Sequence, residues 1–246
     1  MNQYKDFAKV YAEGDYTQHS TKMAEMFSRL LEQYEVDPDN LLDIACGEGT
    51  FLRGLDVQGV EKKGIDLSER FIDIAREKSE SGIDFQVGDM RSFSESGYDV
   101  VTCWYDSLNY LTDIEELNSA FRNVRSSLNL GGLFIFDMNT SYFLSDVWPS
   151  QGTYVSKDND QVFELHRANY DEESRIFKLR ITGFRKENGV WNKFEEVHRE
   201  KAYKLSEVKS ALEKQGFEIL DIFGDIEDRK ELESEDPRVW IVAEAR

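Results

Sequence analysis

Asn40-Leu-Leu-Asp-Ile-Ala-Cys-Gly-Glu-Gly-Thr-Phe-Leu52 decides the fold. Leu41, Leu42, Ile44 and Ala45 form a short apolar run that suits a buried strand of a parallel sheet. The run breaks into Cys46-Gly-Glu-Gly49, where two glycines one residue apart permit a tight turn and let a ligand lie against bare backbone. Thr50-Phe-Leu-Arg53 reads as the first turn of a helix whose free N–H groups point back at that turn. Strand, glycine turn and helix in this order are how an open α/β sheet holds a nucleotide-like cofactor. The dinucleotide pattern G-x-G-x-x-G needs a third glycine where Leu52 stands, and no G-x-x-x-x-G-K-[ST] loop is present. Taken alone, the stretch also fits a glycine turn in some other α/β domain.

Moving outward, residues 58–66 read as a second strand ending in Asp66, 19 positions after Gly47. That is the distance at which a carboxylate reaches ribose hydroxyls, and one ionised carboxylate can accept both. Ser68 is expected to cap a following helix with Phe71, Ile72 and Ala75 inward. Ile83, Phe85 and Val87 alternate as a third strand, which ends in Gly88-Asp89-Met90. Tyr98-Asp-Val-Val-Thr-Cys103 is a fourth strand. Trp104, Tyr105, Asp106 and Asn109 follow at its carboxyl end, where ligands sit in such sheets. A capping box at Thr112 and Glu115 starts a helix that Gly131-Gly132 should end, and Leu133–Met138 is a strongly apolar fifth strand.

Acidic residue, small residue, then Gly-x-Gly resembles the first motif of class I S-adenosylmethionine-dependent methyltransferases. Asp43, Ala45, Gly47 and Gly49 fill its positions, with Ala45 where many members have glycine. The resemblance implies S-adenosylmethionine as cofactor, with Asp66 and the adjoining Leu67 at the ribose. It places Asp89 at the adenine amino group, Met90 on the base, and Trp104 on the pocket floor. It makes residues 1–38 a lid, with Tyr4, Tyr11 and Tyr16 as candidate contacts. Tyr4, Asp106 and His198 are the candidates for moving a proton during transfer, and Tyr11 is a further one. No metal is implied.

Before the glycine turn, Met23, Met26, Phe27, Leu30, Leu31 and Tyr34 make one helical stripe, which Asp37-Pro38 should stop. From about residue 141 to 203 the texture changes to period-two alternation with an Asn188-Gly189 hairpin signal. This predicts an antiparallel meander inserted after the fifth strand, serving as scaffold, dimer contact or substrate-side wall. Among His166, Arg167, Arg180, Arg185, His198 and Arg199, a few could hold an anionic substrate group. Ser206 should cap a last helix, and residues 217–223 and 239–244 should close the sheet as an antiparallel pair.

The expected architecture is therefore α/β: a Rossmann-like, doubly wound, seven-stranded sheet with an antiparallel last strand, plus an antiparallel β subdomain. Residues 1–140 and 204–246 form the cofactor domain, and 141–203 the insertion. The formal charge of −19 argues against a broad nucleic-acid surface and against anionic membranes. Met1-Asn-Gln-Tyr-Lys-Asp has no signal-peptide pattern, and Cys46 and Cys103 read as reduced core thiols, which predicts a cytoplasmic protein. The inserted sheet and early tyrosines are similar to small-molecule N-methyltransferases, including those acting on amino groups of nucleotide-linked sugars. The expected partner is a small-molecule acceptor, with a homodimer allowed. A non-catalytic cofactor-binding module, an O- or protein methyltransferase, and a nicotinamide-dependent oxidoreductase are the alternatives.

Overall fold

The computed structural model of the chain describes residues 11, 15–79 and 82–246. Tyr4 lies outside these residues. Helix α1 (Gln18–Gln33) buries Met23, Met26, Phe27, Leu30 and Leu31, the stripe read from its spacing. Glu35, at φ 55°, turns the chain out of the helix before Asp37-Pro38 is reached. Strands β1 (Asn40–Ile44), β2 (Glu61–Asp66), β3 (Ile83–Val87), β4 (Tyr98–Cys103) and β5 (Leu128–Asn139) pair in parallel. Helices α2 (Thr50–Gly54), α3 (Glu69–Lys78) and α4 (Ile114–Ser127) connect them.

After β5 come β6 (Thr153–Asp158), β7 (Val162–Asp171), β8 (Ile176–Glu187) and β9 (Val190–Lys201), a separate antiparallel sheet in simple up-and-down order. It has one strand more than the three alternating segments of the sequence, because β6 carries no period-two apolar pattern: Thr153, Val155 and Ser156 are exposed. Helix α5 (Leu205–Lys214), β10 (Phe217–Asp225), β11 (Lys230–Glu231) and β12 (Arg238–Ala245) return to the main sheet.

The main sheet runs β11-β10-β12-β5-β4-β1-β2-β3. The expected seven strands are joined by an eighth, the two-residue β11, on the β10 edge. The chain winds outward from β1 in one direction and from β4 in the other, so the switch point lies between β1 and β4. There the connections leave to opposite faces, and a crevice opens beyond the strands' carboxyl ends. Both faces of the sheet are covered. Leu42 and Ile44 of β1 pack with Phe121, Val124 and Leu212 on one side; Leu41 packs with Phe27, Phe51 and Ile72 on the other. Strand side chains alternate between faces, so a run apolar at every position belongs to a strand buried twice.

Three expected boundaries shift. Asp113, not Thr112, caps α4, its carboxylate accepting from the Glu115 N–H at 2.8 Å. That helix ends at Ser127, and Leu128 passes straight into β5, so Gly131-Gly132 lies within the strand. Helix α5 starts at Leu205, ahead of Ser206; Glu207 reaches back to accept from the Lys204 N–H at 2.8 Å.

Candidate active site

Two cavities open beyond the carboxyl ends of the central strands. The first, of about 310 Å³, sits at the switch point and is lined by Asp43, Ala45, Gly47, Asp66, Leu67, Asp89, Met90, Trp104 and Tyr11. Backbone geometry explains the turn that begins it. Ala45, Gly47 and Gly49 all have positive φ, at 55°, 56° and 80°. A Cβ on Gly47 would meet no atom within 4 Å, so this backbone faces open space. A Cβ on Gly49 would sit 2.6 Å from the Phe85 ring. Gly49 is thus a packing glycine and does not line the cavity, unlike its expected role. Ala45 occupies a left-handed conformation that suits glycine better, which is the physical content of its departure from the family pattern.

Asp66 ties this turn to the next strand. One carboxylate oxygen accepts from the Gly47 N–H at 2.9 Å and the other from the Ser68 N–H at 2.8 Å. Burial raises its pKa to about 6, against the pull of those two N–H groups. Asp43 is buried beside it and accepts from the Thr102 hydroxyl at 2.7 Å. Burial, opposed by that bond and aided by the Asp66 charge, lifts Asp43 to about 8. Glu48, inside the turn, is 2% exposed and pairs with Arg53 at 2.8 Å and Lys78 at 3.1 Å. No sequence pattern announced this brace, because its cations come from two different helices. At the far end Asp89 is gripped by the Arg91 side chain at 2.6 to 3.1 Å, which holds its carboxyl below the ordinary range. The Trp104 ring is buried against Phe51, and its Nε1 has no hydrogen-bond partner among the described residues.

The second cavity, of about 260 Å³, lies between the inserted sheet and the main one. Tyr11, Tyr105 and Tyr110 line both cavities, so the two adjoin. Asp106 and His198 are brought together here. Tyr16 also lines this cavity and not the first, contrary to the reading that made it a cofactor contact. Its hydroxyl donates to the fully buried Glu164, and its ring stacks on Tyr11 at 5.3 Å. Tyr110 contacts His198 Nδ1 through its hydroxyl at 3.0 Å. Burial, then the neighbouring His166, lowers His198 to about 4, so its ring is neutral at physiological pH.

A buried charge clamp shapes the floor. Arg238 donates to Asp106 at 2.8 Å and to Asp137. Asp137 also accepts the N–H groups of Tyr105 at 2.7 Å and Asp106 at 3.2 Å. Those two residues follow β4 in consecutive left-handed conformations, φ 60° and 53°, without a glycine. Strain of this kind persists where surrounding bonds over-determine it, and it turns Tyr105 and Asp106 toward the cavities. Burial raises Asp106 to about 6, with Arg238 opposing and Asp137 adding. Glu200, missed in the sequence, completes the wall.

The register of the inserted sheet sorts its ionisable residues. His166 pairs with Ile181, which pairs in turn with Glu196, and His198 pairs with Leu179, on the inner face. Arg167 and Arg180 therefore point outward and are exposed. Of the six basic candidates for an anionic substrate group, Arg199 lines the first cavity and the two histidines the second; Arg167, Arg180 and Arg185 line neither.

A family model described as "Methyltransferase domain" matches residues 41–132, the segment carrying the turn, Asp66 and Asp89. An S-adenosylmethionine-dependent methyltransferase from Clostridium acetobutylicum ATCC 824 superposes with a TM-score of 0.83 at 27% identity, covering 98% of each chain. The domain match and this superposition support a class I S-adenosylmethionine-dependent methyltransferase. YqeM of Bacillus subtilis (strain 168), which carries a provisional methyltransferase name, is 29% identical to this methyltransferase over 230 residues, 92% of this chain and 90% of its own. A Streptomyces venezuelae dTDP-3-amino-3,4,6-trideoxy-alpha-D-glucopyranose N,N-dimethyltransferase is 29% identical over 124 residues, half of each chain. The third glycine absent at Leu52 and these matches together set the nicotinamide reading aside. Among the described residues of the methyltransferase, no helix is long and apolar enough to cross a membrane.

The first cavity fits the cofactor on three counts visible in the structure. Gly47 leaves space where any side chain would intrude. Asp66 keeps unused acceptor capacity after its two backbone bonds. The Trp104 N–H is a buried donor still in need of an acceptor.

Proposed function

We propose that this methyltransferase places a methyl group on the nitrogen of a small-molecule amine. The observation that carries the reading is the second cavity. It adjoins the first through three tyrosines, and its wall holds the carboxylates Asp106 and Glu200. Its one arginine, Arg238, is already neutralised by Asp106 and Asp137. Such a chamber favours a cationic or hydrogen-bond-donating guest over an anionic one. The aminosugar dimethyltransferase relative supports the same acceptor class.

In this reading Asp66 accepts both ribose hydroxyls, Asp89 and Met90 meet the base, and the Gly47 backbone and Trp104 N–H border the rest. Bound S-adenosylmethionine supplies a methyl carbon already activated by its sulfonium. The chain then has to align the acceptor with that carbon and keep water out. Alignment alone corresponds to effective molarities of about 10^5–10^8 M. Tyr11, Tyr105 and Tyr110 stand at the junction and set the line of approach. We assign residues 141–203 to the acceptor side, as a wall laid over a cofactor domain formed by 1–140 and 204–246. His198, neutral and bonded to Tyr110, orients that tyrosine and carries no charge of its own.

The test is a panel of paired amines and hydroxyl isosteres incubated with S-adenosylmethionine, with methylated products read by mass spectrometry. Products confined to amines support the reading. Transfer to oxygen across the panel would overturn it.

A further inference from the structure

Glu200 is the one carboxylate of the second cavity that lacks a cation. It sits near the end of β9, 1% exposed, beside Tyr203 and Lys201 in sequence but directed into the chamber. Among the described residues its hydrogen bond comes from a neutral amide, Asn139 Nδ2 at 2.7 Å, and no cationic group lies within ion-pair distance. The guanidinium of Arg238 is taken by Asp106 and Asp137. The other titratable groups on the chamber wall are Tyr11, Tyr16, Tyr105 and Tyr110, His166 on β7, and His198 on β9.

We propose that Glu200 is the residue that pairs with the acceptor's ammonium and then takes its proton, making the nitrogen nucleophilic. The proposal rests on the amine reading above. A buried carboxyl with one amide partner is more stable neutral than charged. Burial first, and then the Asp106 charge, push Glu200 well above the usual carboxylate range and favour its protonated form, with the Asn139 bond and the Arg238 charge opposing. An entering ammonium reverses that preference: Glu200 loses its proton to solvent and forms the missing ion pair. Next, one ammonium N–H bond breaks and its proton forms an O–H bond on the Glu200 carboxylate, while the electron pair stays on nitrogen. That lone pair makes the new N–C bond as the methyl C–S bond breaks with its electrons left on sulfur. Charge balances: ammonium, sulfonium and carboxylate become methylated ammonium, thioether and carboxylic acid.

The experiment needs no knowledge of the acceptor. Sinefungin carries an ammonium-bearing carbon where the cofactor has its methyl sulfonium, whereas S-adenosylhomocysteine has neither charge nor methyl. Each is titrated calorimetrically into the full chain at about pH 7.5 in buffers of different ionisation heat, which counts protons released. The expected wild-type result is about one more proton released per site with sinefungin than with S-adenosylhomocysteine. Asp106, at about 6, is already ionised at that pH, and His198, at about 4, already neutral; Asp43, at about 8 in the cofactor cavity, is the competing source, and a proton from it would persist in the Glu200 variant. In Glu200→Gln the difference vanishes, and the preference for sinefungin falls by about tenfold while S-adenosylhomocysteine affinity holds within about twofold. Equal proton counts for the two ligands in wild type overturn the proposal, and so does an excess that survives in Glu200→Gln. If Glu200→Gln does not fold, Asp43→Asn replaces it: an excess that persists there supports the proposal, and one that vanishes there overturns it. Failure of both ligands to bind strikes the cofactor site instead, and oxygen products in the amine panel strike the acceptor reading; neither outcome is confused with loss of the proton signal.

Discussion

The two cavities are made from different kinds of sequence. The first is assembled mainly from the ends of β1, β2 and β3, within residues 43–90, where each piece is a short local pattern, with Tyr11, Trp104 and Arg199 joining from outside. The second draws on Tyr16, Asp106, Asn139, His166, His198, Glu200 and Arg238, which come together through tertiary folding. One region is held by backbone N–H groups on a carboxylate, the other by buried side-chain charge. A cofactor common to a family can be met by local backbone geometry. An acceptor calls for side chains gathered from afar.

Breaking the second region should carry the largest cost. Asp137→Ala strands Arg238 beside Asp106 and releases the N–H groups that hold the left-handed pair Tyr105-Asp106. Removing one partner of a buried pair costs about 3–5 kcal/mol, and urea unfolding should show it. A loss under about 1 kcal/mol would mean that the clamp does not hold this floor. In the first region the damage should fall on binding. Gly47→Val fills the open space beside the turn, and S-adenosylhomocysteine affinity should drop about 100-fold; the left-handed backbone adds about 1–2 kcal/mol of instability. Equal affinity, measured by calorimetry, would place the cofactor elsewhere. The smallest change sharpens the contrast. Ala45→Gly relieves a positive φ without touching the charge clamp, and should stabilise the chain by about 0.5–1 kcal/mol in the same urea experiment.

The main sheet was legible because its signals are local. Apolar runs gave β1, β4 and β5, and the spacing of Gly47 to Asp66 placed two carboxyl ends side by side, where they form a 2.9 Å hydrogen bond. Helix ends were read less well, since Asp113 and Thr112 are both competent caps and only the backbone decides between them. Strands β6 and β11 gave no signal: the first is exposed on alternate and adjacent positions alike, and the second is two residues long. Within the site, the pattern marked Gly49 together with Gly47, yet one faces a phenyl ring and the other the cavity. The sequence pattern groups Tyr16 with Tyr11 at the cofactor, but Glu164, 148 positions away, draws it into the second chamber. Glu200 and Arg238 were invisible for the same reason. A lone glutamate on an alternating strand looks solvated until the register shows which face is covered.

The central claim is that the strand ends around Asp66 grip the ribose of S-adenosylmethionine, and calorimetry of that cofactor against pH tests it most directly. The ionised carboxylate is the form that accepts hydroxyls, and its pKa is raised to about 6, so wild-type affinity should rise as pH increases through about 6 and level off above. Asp66→Ala should bind about 10–100-fold more weakly on that plateau, with the rise gone. Matching affinities for wild type and variant at every pH would contradict the account.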